Sequence, residues 1–225
     1  MYQLKTNLLV TSMIGIITLV SCESEDAEDV SQQKIETNYS LIYDEAANET
    51  TASASFKFGS TSLRLNTPSE VLFNDASLHE DNALGLITYE RTFNGVVDGE
   101  FRYRNNDNDV YVNVYTLTSV ALPESLTQVS LSELIQIKWI GLPIRANESI
   151  SLRIWNDITS YYVTMDDINA TTLQVRGAQM PVELLGQCTI QVDRTFEKRP
   201  DQAPDKGGSG KSQWNGPEYS IMVVE

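Results

Sequence analysis

Cysteine and histidine are almost absent from this sequence of 225 residues, which contains two cysteines and one histidine. The single histidine, His79, cannot supply the several nitrogen ligands of a typical zinc site, and no cysteine lies near it to form a catalytic pair. Because Cys22 is assigned below to another role, Cys188 has no disulfide partner. We predict that Cys188 is a small buried residue of an alternating run. We expect no disulfide framework and no cofactor.

Basic residues are also scarce. The chain has 16 Lys and Arg against 31 Asp and Glu, which gives a formal net charge of −15. An acidic surface repels the phosphates of nucleic acid and the headgroups of anionic lipids, so neither is an expected partner. Beyond the first 22 residues, no apolar run approaches the roughly 20 residues that a membrane-spanning helix needs.

The first 22 residues have the parts of a secretory signal. Lys5 supplies the positive charge, an apolar run follows, and Leu19-Val20-Ser21-Cys22 ends the segment. This ending resembles the lipobox of bacterial lipoproteins. The resemblance implies that residues 1–21 are removed as a signal peptide and that Cys22 is acylated, with chains such as palmitate holding the protein on a membrane. The alternative is an ordinary cleaved signal with an incidental cysteine.

Residues 22–35 are predicted to be a disordered acidic tether after the acylated cysteine. Five acids fall between Glu23 and Asp29, and no apolar periodicity follows them. The segment can be a simple spacer. It also resembles an export signal that some Gram-negative bacteria use to display lipoproteins on the cell surface. We therefore expect a lipid-anchored protein of the bacterial outer membrane that faces the outside.

From residue 36 onwards, apolar and polar residues alternate in short runs separated by turn residues. In residues 52–58, for example, Ala52, Ala54, Phe56 and Phe58 share one face, which is the pattern of a half-buried strand. No segment shows helical periodicity over three turns. The pattern predicts an all-β fold of two tandem Ig-like β-sandwich domains, residues 36–121 and 122–225.

Three short motifs fit this interpretation: Phe56-Lys57-Phe58-Gly59, Trp139-Ile140-Gly141 and Asn147-Glu148-Ser149. Together they resemble bacterial lipoproteins built from tandem β-sandwich modules. That family implies a fold but no activity.

Residues 196–216 are predicted to be a long polar loop before the last strand, and a loop of that length is often functional. It carries Arg199 and Lys211, which could attract a negative partner, and Trp214, which we expect to be exposed. These three residues are the candidate ligand contacts. The Gly-rich stretch 207–212 does not match a phosphate-binding loop, because Asp205 occupies the position of the first glycine.

The turn at residues 105–109 offers closely spaced oxygens, so Asp107 and Asp109 are weak candidates for binding calcium. The same residues are also typical of a simple hairpin turn.

The function that these features favour is non-catalytic binding or scaffolding in the cell envelope, with a glycan or an envelope protein as partner. The alternative is a secreted hydrolase that uses surface carboxylates, which needs two of them across one cleft. A role as an assembly subunit needs an unpaired, uncharged edge strand or a large apolar patch.

Overall fold

The computed structural model describes residues 24–225. The predicted signal peptide and Cys22 lie outside these residues. The described chain consists of β-strands and four single-turn 3₁₀ helices, and it contains no α-helix. The prediction of an all-β fold of stacked sheets is confirmed. Among the described residues, no helix is both long and apolar enough to cross a membrane.

Ten strands form the first half of the fold: β1 Ser24–Asp26, β2 Glu36–Asp44, β3 Glu49–Phe58, β4 Thr61–Arg64, β5 Glu70–Phe73, β6 Ala76–Ser77, β7 His79–Ala83, β8 Leu86–Asn94, β9 Gly99–Arg104 and β10 Val110–Tyr115. Ten more form the second half: β11 Val120–Ala121, β12 Gln128–Ser130, β13 Leu134–Lys138, β14 Ile140–Gly141, β15 Glu148–Trp155, β16 Ser160–Met165, β17 Thr172–Arg176, β18 Gly186–Lys198, β19 Gly208–Asn215 and β20 Tyr219–Val224. The 3₁₀ helices cover Ala27–Asp29, Gln32–Lys34, Gly177–Gln179 and Val182–Leu184.

One 12-stranded sheet runs through the whole molecule. Eight of its strands follow the path β1-β4-β3-β2-β19-β18-β15-β16, and the other four branch from it: β8 pairs with β3 and β7, and β20 pairs with β18 and β12. Three smaller sheets are formed by β10-β9-β5-β6, by β11 with β14 and by β13 with β17. Alternate residues of the large sheet are buried, so one face packs on a core and the other faces solvent.

The N-terminal core lies between the large sheet and the sheet β10-β9-β5-β6. It is rich in aromatic rings that meet across the two layers. The ring centroids of Phe56 and Tyr103 are 4.4 Å apart, and those of Tyr39 and Phe101 are 4.9 Å apart. Tilted pairs at these distances add to the free energy of burial.

The C-terminal core is mostly aliphatic. Ile150, Leu152 and Ile154 of β15 and Ile190 and Val192 of β18 form its large-sheet side. The neighbouring Cys188 is 3% exposed and its thiol donates to the carbonyl of Leu184 at 3.0 Å, so the prediction of a small buried cysteine is confirmed.

The last residue along the chain that packs in the N-terminal core is Leu117, and the first that packs in the C-terminal core is Val120. The large sheet does not break there, because β19 pairs with β18 on one side and in parallel with β2 on the other. A domain boundary at residues 121 and 122 therefore stays a prediction.

The prediction of a disordered tether is wrong for residues 24–35. β1 pairs in parallel with β4, while Ala27 and Ile35 are fully buried in the N-terminal core. Gln32 fixes the segment further, because its amide nitrogen donates to the carbonyl of Ala27 at 2.6 Å and its amide oxygen accepts from the backbone of Asn106 at 3.1 Å. Two buried apolar side chains and one buried amide thus hold an otherwise acidic segment in place.

The prediction of a long loop at residues 196–216 is also wrong. β18 extends to Lys198 and β19 begins at Gly208, so only residues 199–207 connect them. The glycines of β19 serve close packing, not a turn. A Cβ atom at Gly210 would lie 1.7 Å from the hydroxyl of Tyr115, so only glycine fits at this point.

Candidate functional site

The solvent face of the large sheet presents rows of short polar side chains where the two halves of the fold meet. Cross-strand pairing places Ser53, Ser40, Lys211 and Glu197 in one row, on β3, β2, β19 and β18. The neighbouring row contains Ser55, Asn38 and Ser209, in which the Ser209 hydroxyl donates to the amide oxygen of Asn38 at 2.6 Å. Both rows follow from strand alternation, because their neighbours in sequence point into the core.

These rows form the floor of an open groove of about 860 Å³, which we call the junction groove. Seven of its fifteen lining residues are Ser, Thr or Asn: Asn38, Ser40, Ser53, Ser55, Thr88, Asn147 and Ser209. The Ser40 hydroxyl is buried and has no hydrogen-bond partner among residues 24–225. The groove is therefore lined by groups that can both donate and accept hydrogen bonds.

Three cations and one carboxylate also line the junction groove: Lys198, Arg199, Lys211 and Glu197. Lys198 is engaged, because its ammonium lies 2.5 Å from Asp201 and 5.2 Å from the ring centroid of Tyr115. Arg199 and Lys211 form no ion pair within the described part of the chain. In a protein of net charge −15, this groove still carries a small net positive charge, because Glu197 offsets only one of these two cations.

The connection between β18 and β19 is held against the first half of the fold. Asn113 of β10 donates to the carbonyl of Gln202 at 2.8 Å, and its amide oxygen accepts from the Gln202 backbone at 3.0 Å. The Gln202 side chain also accepts from the backbone of Val112 at 2.9 Å. Asn113 is fully buried, so these bonds hold the connection at Gln202 firmly against β10.

The structure brings together two of the three predicted ligand contacts. Arg199 and Lys211 both line the junction groove. Trp214 is on the opposite face of β19, since it lies an odd number of residues from Lys211. Its ring packs 4.5 Å from Tyr43 and its indole nitrogen donates to Glu45 at 2.9 Å. The expectation that Trp214 is exposed is wrong, because the ring is partly buried against the C-terminal core.

Sequence reasoning missed the serine and asparagine residues of β2 and β3. They were visible as the polar half of an alternating strand, but nothing in the sequence shows that β19 joins them. Parallel pairing between segments about 170 residues apart leaves no local signal.

The turn at residues 105–109 is closed by its own side chains. Asp109 accepts from the amide of Asn105 at 3.1 Å, and the Asp109 backbone donates to the Asn105 side chain at 2.8 Å. Gln33 also donates to the Asp109 carboxylate at 3.3 Å. Asp107 is exposed at the tip. Among residues 24–225, no three His, Cys, Asp or Glu side chains are grouped to hold a metal ion. Calcium binding at Asp107 and Asp109 stays a prediction.

Three further charged residues on β15 and β18 are buried or half-buried. Glu148 and Arg194 form an ion pair of 2.5 Å in which each side chain is 1% exposed. Burial alone would raise the pKa of Glu148, but hydrogen bonds from Arg145 and Arg194 hold it below its ordinary value. Asp193 differs, because burial raises its pKa to about 6 and one of its oxygens has no partner within the described chain.

No protein-family model and no curated protein matches this sequence. Among solved structures, the chain is similar to the crystal structure of chicken CNTN1 FN1-FN3 domains, with 10% sequence identity and a TM-score of 0.21. The match covers 80% of this chain and 65% of that one, which is less than two thirds of its length. A TM-score this low carries no argument about fold or function, so the architecture stands on the strand pairing described above.

Proposed function

We propose that this protein is a non-catalytic, lipid-anchored binding protein of the bacterial outer membrane and that its junction groove binds a glycan. The observation that carries the proposal is the lining of the groove, where hydroxyl and amide side chains from β2, β3 and β19 stand beside Arg199 and Lys211. A polyhydroxylated ligand matches such a surface, because each of its hydroxyls both donates and accepts hydrogen bonds.

The size and shape of the groove support the same choice. Its volume of about 860 Å³ falls within the range of small-molecule sites. The groove is open to solvent, so a ligand can reach it without a change in the fold. Arg199 and Lys211 favour a glycan that carries carboxylate, sulfate or phosphate groups over a neutral one.

The test is a pair of matched substitutions on the solvent face of the large sheet. Ser53→Tyr places a ring in the groove, whereas Thr164→Tyr places the same ring on β16, away from it. We expect Ser53→Tyr to lose retention on acidic polysaccharide columns and Thr164→Tyr to behave as the wild type. Equal retention of all three proteins on every polysaccharide would remove the glycan proposal.

The lipid anchor is tested separately. We expect mass spectrometry of the mature protein to find its amino terminus at Cys22, with a diacylglyceryl group on sulfur. Cys22→Ser should release the protein into the soluble fraction. Protease treatment of intact cells then distinguishes display on the surface from retention in the periplasm.

An envelope protein is the second candidate partner, and β16 is the observation that favours it. This six-residue edge strand contains no charged residue and pairs only with β15. Unprotected edges of this kind can accept a strand from another chain. A photo-crosslinker at Tyr162, which is 62% exposed on β16, would capture such a partner in intact cells.

The hydrolase alternative finds less support in the groove. Glycosidase chemistry needs two carboxylates on opposite sides of the ligand. The junction groove is lined by one carboxylate, Glu197. Release of reducing sugar from a bound polysaccharide, lost in Glu197→Gln, would favour the hydrolase over the binding protein.

A further inference from the structure

The hairpin between β7 and β8 ends in exposed leucines. Leu84 is 96% exposed and Leu86 is 56% exposed, and we call residues 84–86 the leucine tip. The two turn residues have positive φ, 55° at Leu84 and 82° at Gly85, as two-residue hairpin turns with the favoured twist require. Asn, Asp or Gly normally occupies the first of these positions, and leucine there is strained. The chain thus holds a bulky apolar residue where both solvation and backbone geometry oppose it, which points to a function.

The leucine tip lies at the same end of the sheet as the start of the described chain. Ser24 pairs with Ser62, and the Ser62 hydroxyl accepts from the backbone of Ile87 at 2.9 Å. Farther along, the backbone of Leu65 donates to the hydroxyl of Tyr89 at 2.7 Å, so β4 and β8 advance in the same direction. Because β1 is parallel to β4, Ser24 lies at the end of the sheet that carries the tip.

The distance from the proposed anchor is short. Cys22 precedes Ser24 by two residues, which span at most about 7 Å when fully extended. Pairing of β1 with β4 removes the flexible spacer that a disordered tether would have provided. If Cys22 is acylated, as the proposed function holds, the end of the sheet that carries the leucine tip is held against the bilayer.

We propose that Leu84 and Leu86 insert into the boundary between headgroups and acyl chains and, together with the lipid on Cys22, fix the orientation of the protein. With two attachment points, the protein cannot rotate freely about a single lipid anchor. Glu25 and Asp81 are exposed near this end, and Glu80 is paired with Arg64 at 3.0 Å. With Arg199 and Lys206 also at this end, the charges are mixed, so the bilayer that fits is zwitterionic rather than anionic.

The orientation has a consequence for the proposed ligand. β18 ends and β19 begins at this same end of the sheet, so Arg199 and Lys206 lie there too. A glycan in the junction groove would therefore be bound close to the membrane surface.

The test uses the acylated full-length protein with a thiol-reactive, environment-sensitive fluorophore. One variant carries Leu84→Cys, and the control carries Leu134→Cys, a leucine that is 58% exposed on β13. Cys188 is buried and Cys22 is capped by its acyl group, so each variant has one reactive thiol. The proteins are placed on phosphatidylcholine–phosphatidylethanolamine vesicles with and without brominated acyl chains. We expect a blue shift and bromine quenching at position 84 and neither at position 134.

Three outcomes would overturn the proposal. Protein that floats with the vesicles while the label at position 84 stays unshifted would refute insertion and leave the lipid anchor standing. Protein that does not float would refute the anchor, and the tip proposal with it. A shift at position 84 that needs high protein concentration and no lipid would identify a second copy of the chain as the occupant. As a check on folding, Leu84→Asn suits the turn and is expected to speed transfer between vesicles without lowering stability.

Discussion

The buried ion pair between Glu148 and Arg194 allows a prediction of how far the free energy of unfolding falls when one partner is removed. Arg194 donates to the carbonyls of Leu142 and Pro143 at 2.8 and 2.9 Å as well as to Glu148. Arg194→Met keeps most of the side-chain volume but leaves the Glu148 carboxylate buried without its closest partner. Arg145 still contacts Glu148, but its own side chain is 60% exposed.

Breaking a fully buried pair from one side costs about 3–5 kcal/mol. For a chain of this size, that corresponds to a fall of about 6–20 °C in the melting temperature. The matched control is Arg145→Met, which removes an exposed partner and should cost about 1 kcal/mol. Urea unfolding of the purified proteins at pH 7 measures both differences.

The pH dependence adds a second test of the same pair. The pKa of Glu148 is held below its ordinary value of 4.5 in the folded protein, so the pair stabilises the fold above that pH and loses its effect as the pH falls further. In Arg194→Met the carboxylate can take up a proton near that pH, and the difference from wild type should shrink. A cost below 1 kcal/mol for Arg194→Met, or a cost that does not change between pH 7 and pH 3, would refute this account.

Three other substitutions have defined outcomes. Gln32→Ala removes a buried amide with bonds to two segments and should lower the free energy of unfolding by about 1–3 kcal/mol, whereas Gln33→Ala, an exposed neighbour, should change it by less than about 0.5 kcal/mol in the same urea titration. Asp193→Asn should stabilise the protein above pH 6, because burial raises the pKa of Asp193 from 3.8 to about 6 and the folded state therefore disfavours the charged form. That gain should disappear below about pH 3.8, and calorimetry at pH 8 and pH 3.5 measures the difference. Asn113→Ala should release the connection between β18 and β19 from its bonds to Gln202, so amide exchange there should rise while the core of β15 stays protected.

Strand alternation made much of this fold predictable. Ala52, Ala54 and Phe56 are buried as the pattern in β3 predicts, and Ile150, Leu152 and Ile154 are buried in β15. These are local signals, because every second residue of a half-buried strand must be apolar. The hairpin formed by β9 and β10 around the Asn- and Asp-rich turn was predictable for the same reason.

The two segments whose structure was predicted wrongly have a common physical cause, which is that the stabilising partner is distant in sequence. Residues 24–35 look disordered because they carry few apolar residues, yet β4 and the N-terminal core supply their partners. Residues 208–215 look like a loop because they contain glycine and serine. Gly210 is needed there because the Tyr115 hydroxyl occupies the space of its side chain. Composition describes a segment alone, whereas these two segments are ordered by the surface on which they lie.

Strand β19, which the sequence predicted to be part of a loop, is also the strand on which the candidate site depends. Its residues alternate between two surroundings. Gly210, Ser212 and Trp214 face the cores, while Ser209 and Lys211 face the groove. One strand therefore joins the two halves of the sheet and supplies part of the ligand surface between them. A groove built in this way exists only while β2 and β18 are both paired with β19, so binding at the junction should depend on the integrity of both cores. The candidate site accordingly belongs to the assembled sheet, and neither half of the chain contains it alone.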